Sequence, residues 1–132
     1  HQFSIAVHLM TCLGSHKGLE LTSSQLAMSV NTSPSFIRRT LSKLAKANLV
    51  KAKKGKGGAT ELAREASRIS MFDIYEAVEA PKVFAVHQYP TQKACAVSCR
   101  FKSSMERVLE QTQDSMEKSL KKVSLADVIS DL

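Results

Sequence analysis

The stretch Ser33–Leu62, SPSFIRRTLSKLAKANLVKAKKGKGGATEL, constrains the chain most. It reads as one helix followed by a basic hairpin. Ser33 is a residue type that caps a helix N-terminus through its hydroxyl. Pro34 at the first helical position gives up only an N–H that would be unpaired anyway. Ile37, Leu41 and Leu44 recur at helical spacing and form a stripe for burial. Arg38, Arg39, Ser42, Lys43 and Lys46 fall on other faces and stay in water. Leu49 and Val50 open an extended run that ends in Lys53-Lys54-Gly55-Lys56-Gly57-Gly58. The glycines permit a tight turn, and nothing apolar anchors its tip. A polar helix surface beside a lysine-rich loop suits duplex DNA: the helix enters the major groove and the loop grips phosphate.

Charge is distributed to match. The net charge of the 132 residues is +7. Residues 1–64 hold 10 Lys/Arg against 2 Asp/Glu, whereas residues 65–132 hold 9 against 10. The excess therefore sits in the half that carries the helix and hairpin. Lysines are usually just solvated surface, but a split centred on one motif favours a polyanionic partner. No run approaches the roughly 18 apolar residues of a membrane span. Ile5–Leu13 is apolar, but His8, Thr11 and the missing cleavage site argue against a signal peptide. The odd count of three cysteines implies no disulfide framework and fits a cytoplasmic setting.

The flanking segments complete a helix-turn-helix. Phe3–Leu13 reads as a first helix with Phe3, Ile5, Ala6, Leu9, Met10 and Leu13 apolar, broken by Gly14-Ser15-His16-Lys17-Gly18. Thr22 begins a second helix, with Gln25 three residues on as a capping box. Asn31-Thr32-Ser33-Pro34 is the turn into the basic helix. Strands at about Val50–Lys53 and Ala59–Leu62 add a wing. Ser70 with Asp73, and Ser124 with Asp127, repeat one capping pattern before short helices. Pro81–Pro90 is a linker whose Val83-Phe84-Ala85-Val86 is expected to pack. Thr91–Val123 contains neither Gly nor Pro. Val97, Phe101, Met105, Val108, Thr112, Met116, Leu120 and Val123 step by three or four along it. One long helix with a narrow seam is expected, and a symmetric homodimer is its simplest partner. The alternative is that it folds back over its own winged domain.

This order of elements resembles the Rrf-two family of bacterial winged-helix transcriptional regulators. That family includes the iron–sulfur cluster regulator, the nitric-oxide-sensing repressor and the cysteine-metabolism repressor. Phe3–Leu9 is similar to the family's opening helix. Ser33–Val50, with Ser-x-x-Phe-Ile and Leu-Ser-Lys-Leu, is similar to its recognition helix. Gly55-Lys56-Gly57-Gly58 with Leu62-Ala63 is similar to its wing, and Ile69–Val78 and Ser124–Leu132 fit as well. There are three departures. Lys56 and Thr60 stand where the wing usually has Pro and an aromatic. Arg38 stands where the iron–sulfur regulator is acidic, which points to a different operator, toward guanine. Only Cys95 and Cys99 lie where cluster-binding members carry three cysteines, so the resemblance implies a DNA-binding repressor without an iron–sulfur cluster.

The expected fold is mainly α with a small β-wing. A winged helix-turn-helix domain over residues 1–80 is followed by a linker over 81–92. A dimerisation helix and a short C-terminal helix occupy 93–132. The expected function is a homodimeric, sequence-specific DNA-binding repressor that recognises a double-stranded operator. Ser35, Phe36, Arg38 and Arg39 are the candidates for base and groove contacts. Ser23, Ser24, Lys43, Lys53, Lys54 and Lys56 are the candidates for phosphate. Cys95 and Cys99, four apart near the start of the long helix, are redox-sensing candidates, with Lys93 and Arg100 adding positive charge nearby. The alternative for them is packing in a helix seam, and metal binding would need ligands that two cysteines and His87 do not complete. Cys12 is expected in the core, and His8 is expected to be a partly buried structural histidine. No catalytic set is present: no Ser–His–Asp spacing, no phosphate loop and no CxxC. The competing class is a winged-helix protein–protein interaction module without specific DNA binding.

Overall fold

A computed structural model describes residues 1–16, 21–54 and 57–132. The element order is α1 (Gln2–Ser15), β1 (Leu21–Thr22), α2 (Ser23–Val30), α3 (Pro34–Lys46), β2 (Val50–Ala52), β3 (Ala59–Leu62), α4 (Met71–Ala77), α5 (Ala96–Lys121) and α6 (Leu125–Ser130). A single 3-10 turn, Ala66–Arg68, precedes α4. The fold is mainly α with a small sheet, as the residue pattern indicates. Two compact units emerge: His1–Ala80 together with Leu120–Leu132, and Pro81–Ser119.

In the first unit α1 is the spine. Ala6, Leu9, Met10 and Leu13 are buried along one face, against which α2, α3, α4, α6 and β3 pack. From α3 come Ile37, Leu41 and Leu44; Leu26, Leu49, Ile69, Ile74, Val78 and Leu125 complete the core. The expected break at Gly14 does not occur there, because α1 continues to Ser15. His16 closes it, with its N–H donating to the Cys12 carbonyl at 3.0 Å. A Cβ built on Gly14 would lie 2.5 Å from Ile129 Cδ1 of α6 and 3.5 Å from Leu62 Cδ1. Gly14 therefore serves close packing of α6 on α1, and that burial outweighs its poor helix propensity.

The sheet has order β1-β3-β2, all antiparallel. Val50 faces Leu62 and Ala52 faces Thr60 across the wing. The third strand, β1, was not expected. It pairs Leu21 with Thr60 and Thr22 with Ala59, and two residues are too few to show alternation. Thr22 also accepts the Gln25 N–H, and the Gln25 side chain accepts the Thr22 N–H, which is the expected capping box of α2.

The chain returns to this unit through two matching caps. Ser70 caps α4 with Asp73, and Ser124 caps α6 with Asp127. The two serines face each other in an antiparallel bridge. Met71 N–H donates to Val123 O at 2.8 Å, and Leu125 N–H donates to Ile69 O at 2.7 Å. Leu125, fully buried beside that bridge, contributes roughly 1.5–3 kcal/mol of burial.

In the second unit, α5 begins at Ala96 and not at Thr91. Polar contacts replace the expected first turn: Gln92 N–H donates to Ser98 Oγ at 2.9 Å, and Tyr89 OH donates to Ser98 O at 2.7 Å. Further along, Val83 N–H donates to Gln113 Oε1 at 3.1 Å. Segment 83–92 thus lies antiparallel along α5. His87 stacks on Tyr89, with ring centroids 4.8 Å apart, and tilts against Phe101. The expectation that Val83-Phe84-Ala85-Val86 packs fails for three of the four: Val83, Phe84 and Ala85 are exposed and only Val86 is half-buried. The segment is held by its backbone and by rings, not by that apolar run.

Gly14→Leu should destabilise the protein by about 1–3 kcal/mol, because its side chain has no room against Ile129. Gly14→Ala should cost much less, since a helix-propensity gain of roughly 0.5–1 kcal/mol offsets the contact. Urea denaturation measures both, and a Gly14→Leu midpoint equal to the parent's would refute the close packing.

Candidate nucleic-acid interface

The polar face of α3 is built by its caps. Ser33 Oγ accepts the Phe36 N–H at 3.3 Å, with Pro34 at the first helical position. Thr40 is fully buried, yet its hydroxyl donates to Phe36 O at 3.0 Å, so no polar group is left unpaired there. With Ile37, Leu41 and Leu44 fixed inward, Ser35, Arg38, Arg39, Ser42 and Lys46 are exposed and Phe36 is half-buried. The Arg39 guanidinium carbon lies over the Phe36 ring, 5.6 Å from its centroid. Lys43 is half-buried, and its Nζ donates to Gln2 Oε1 at 3.4 Å.

The exit from α3 sets the wing. Asn48 adopts a left-handed conformation, with φ 61°, and Leu49 N–H donates to Leu44 O at 3.0 Å. Leu49 and Val50 are then buried and aim the chain into β2. Arg64, which the residue pattern did not single out, clamps this corner. Its Nε and Nη2 donate to Asn48 O and Ala47 O, each at 3.4 Å, and its Nη1 lies 3.8 Å from Asp73. Nothing local in the sequence marks that role, because its partners come from two other segments, 47–48 and Asp73.

On the wing, Lys51 is paired across the strands with Glu61 at 3.9 Å. Lys53 N–H donates to Ala59 O at 3.0 Å and closes the hairpin, leaving the Lys53 side chain half-buried and Lys54 exposed. Gly58 has φ 75°, a conformation that suits glycine. Lys56 lies outside the described residues. On α2, Ser23 is half-buried and Ser24 exposed in the first turn. Met28 on α2, unanticipated, is 82% exposed. Among the described residues, Arg38, Arg39, Lys53 and Lys54 form no ion pair, so no described carboxylate offsets the charge of this face.

The thiols lie elsewhere. Cys95 and Cys99 are exposed at the start of α5. Ser98 N–H donates to Cys95 Sγ at 3.4 Å, while Cys99 Sγ lies 3.6 and 3.7 Å from the carbonyls of Gln92 and Lys93. Cys12 belongs to the first unit, half-buried, its Sγ 3.3 Å from Ser29 Oγ. His8 Nε2 lies 3.2 Å from the same hydroxyl, and the ring is exposed and not partly buried as expected.

A family model, Rrf2, described as an iron-dependent transcriptional regulator, matches residues 1–131. The chain belongs to the Rrf2 family. It is 34% identical over 133 residues to YwnA of Bacillus subtilis, described as an HTH-type transcriptional regulator, covering 99% of this chain and 96% of that protein. A solved structure described as a DNA-binding protein is 28% identical, with a TM-score of 0.78 over 98% of this chain and 99% of its own. IscR of T. potens shares the fold at 24% identity, with a TM-score of 0.73 over 98% of this chain and 84% of its own. The chain is thus an Rrf2-type transcriptional regulator and not an enzyme. Iron held as a thiolate cluster needs three or four protein ligands. Among the described residues, no group of three or more His, Cys, Asp or Glu side chains could hold a metal ion. Likewise, no helix among the described residues is long and apolar enough to cross a membrane.

Ser33→Ala should cost about 1 kcal/mol of stability through loss of the α3 cap. Thermal unfolding checks this, with Ser33→Asp restoring the parental midpoint. An unchanged midpoint in Ser33→Ala would mean the cap is idle.

Proposed function

We propose that this Rrf2 regulator is a homodimeric, cofactor-free repressor that binds a duplex operator in the cytoplasm and responds to thiol oxidation. The observation that carries DNA reading is the cationic face of α3 and the wing. Arg38, Arg39, Ser35 and Phe36 approach base edges, since the N-terminal part of a recognition helix enters the major groove. Ser23, Ser24, Lys43, Lys53, Lys54 and Lys56 hold phosphates. Dimerisation is supported by exposed apolar residues on α5: Val97 is 69% and Val108 51% exposed. Two recognition helices about 34 Å apart then meet a palindrome.

Exposure and the Ser98 N–H contact support Cys95 as the responsive thiol. Peroxide oxidises it to a sulfenic acid and is reduced to water; attack by a second thiol then forms a disulfide and releases water. The change falls where α5 starts, so it alters how the dimer spaces its recognition helices.

Fluorescence anisotropy with promoter DNA from the protein's own genomic neighbourhood, and with random duplex, tests DNA reading. Arg38→Ala should relax sequence preference. Lys54→Ala should weaken all duplexes alike and lower the salt slope by about one. Equal losses for Arg38→Ala on operator and random DNA would remove it from base reading. Sedimentation should give a dimer. Absence of any sequence-dependent binding would favour a protein-interaction module.

Mild peroxide should release parental protein from operator, with recovery in dithiothreitol, while Cys95→Ser stays bound. Equal release of both proteins would rule out the Cys95 switch.

A further inference from the structure

The two adjacent arginines of α3 look equivalent in sequence but are held differently. Arg38 is exposed and, among the described residues, its guanidinium meets no ring and no carboxylate. Arg39 is also exposed, but its guanidinium sits over the Phe36 ring at 5.6 Å from the centroid. That is within the roughly 6 Å at which a cation is attracted by a ring face. The residue that carries the ring is held in place. Phe36 is half-buried, and its backbone is held on both sides by Ser33 Oγ at its N–H and by the buried Thr40 hydroxyl at its carbonyl. The backbone that carries the ring is thus held on both sides, and the Arg39 guanidinium lies over the ring.

A guanidinium drawn to a ring by cation–π attraction keeps its N–H donors, which lie in the guanidinium plane, for a second partner. Guanine offers O6 and N7 side by side in the major groove, and a guanidinium edge matches both at once. An arginine already held in one pose loses less freedom when it binds. Arg38 lacks such a platform and pays that cost in full.

We infer that Arg39, and not Arg38, is the principal guanine reader of this regulator, with Phe36 as the residue that positions it. The inference rests on the DNA-reading role proposed above. It assigns one guanine in the recognised site to a stacked Phe36–Arg39 pair three residues apart. Arg38 is left to a weaker base preference.

Selection from a randomised duplex pool, followed by anisotropy on single-base variants of the selected site, tests this. Arg39→Lys keeps the charge but loses the bidentate edge. It should lower the preference for guanine at one position by about tenfold, a larger loss than any it causes on random duplex. Phe36→Leu should lose preference at that same position, and Phe36→Tyr, which keeps the ring, should retain it. The double variant Phe36→Leu/Arg39→Lys should lose no more than Arg39→Lys alone. Arg38→Lys should leave that position intact.

Retention of the guanine preference in Arg39→Lys overturns the assignment. Equal weakening of specific and random binding in Phe36→Leu, or loss in Phe36→Tyr as well, removes the positioning role. Arg39→Lys alters only the surface, so it decides the assignment even where Phe36→Leu proves unfolded by circular dichroism. If the parent selects no sequence at all, the DNA-reading role fails with it. If the parent selects a site and the variants select the same one, only the inference made here fails.

Discussion

The first unit depends on the burial of one face of α1. Ala6, Leu9, Met10 and Leu13 are covered by elements from before, within and after the wing. Interiors pack like crystals, so a helix docked on such a face has little freedom to rotate about its own axis. For α3 this decides chemistry. Ile37, Leu41 and Leu44 can face α1 and the remaining core in one way only, and Arg38 and Arg39 then point to water. The cationic face is a by-product of how an aliphatic stripe is satisfied. Thr40 belongs to that stripe because its hydroxyl finds a backbone carbonyl one turn back and carries no unpaired polar atom inward.

Features written in three or four consecutive residues were legible. The caps at Thr22, Ser33, Ser70 and Ser124 are local hydrogen bonds, and all four form as their residue types require. The α3 stripe and the wing strands follow from period alone. Features that depend on a distant partner were not legible. Gly14 reads as a helix breaker until α6 is placed against it. Arg64 joins the ends of α3 and the start of α4, which no window of sequence brings together. The start of α5 is set by Tyr89 and Gln92 reaching Ser98, so composition, which contains no Gly or Pro there, misplaces it by five residues. At the candidate interface, the list of exposed cations was readable, but the Arg39–Phe36 stack was not, since an i, i+3 pair is only an opportunity for contact.

The two units are held by different physics. The first has a continuous aliphatic core. In the second, Gln113 is the one buried side chain described on α5, and its amide spans Val83 N–H and Glu117 Oε2. Polar hooks and an aromatic cluster lay the 83–92 segment along the helix without enclosing an apolar interior. Such contacts give direction but little net stabilisation, since each replaces a hydrogen bond to water. Valines 97 and 108 therefore remain wet in the isolated chain.

The Ser70–Ser124 bridge makes residues 81–119 an insertion within the first unit. Closing a loop of that size costs conformational entropy that grows only slowly with length. Its effect on timing is larger. During synthesis the chain emerges N-terminus first, and the groove of α1 that takes Leu125 stays open until residues some fifty positions beyond α4 have left the ribosome. Residues 1–80 must wait, with an apolar cleft uncovered, until α6 has been made. A regulator built this way completes its DNA-reading unit only after translation has passed α6, so a chain cut short within α5 would leave that unit unfinished.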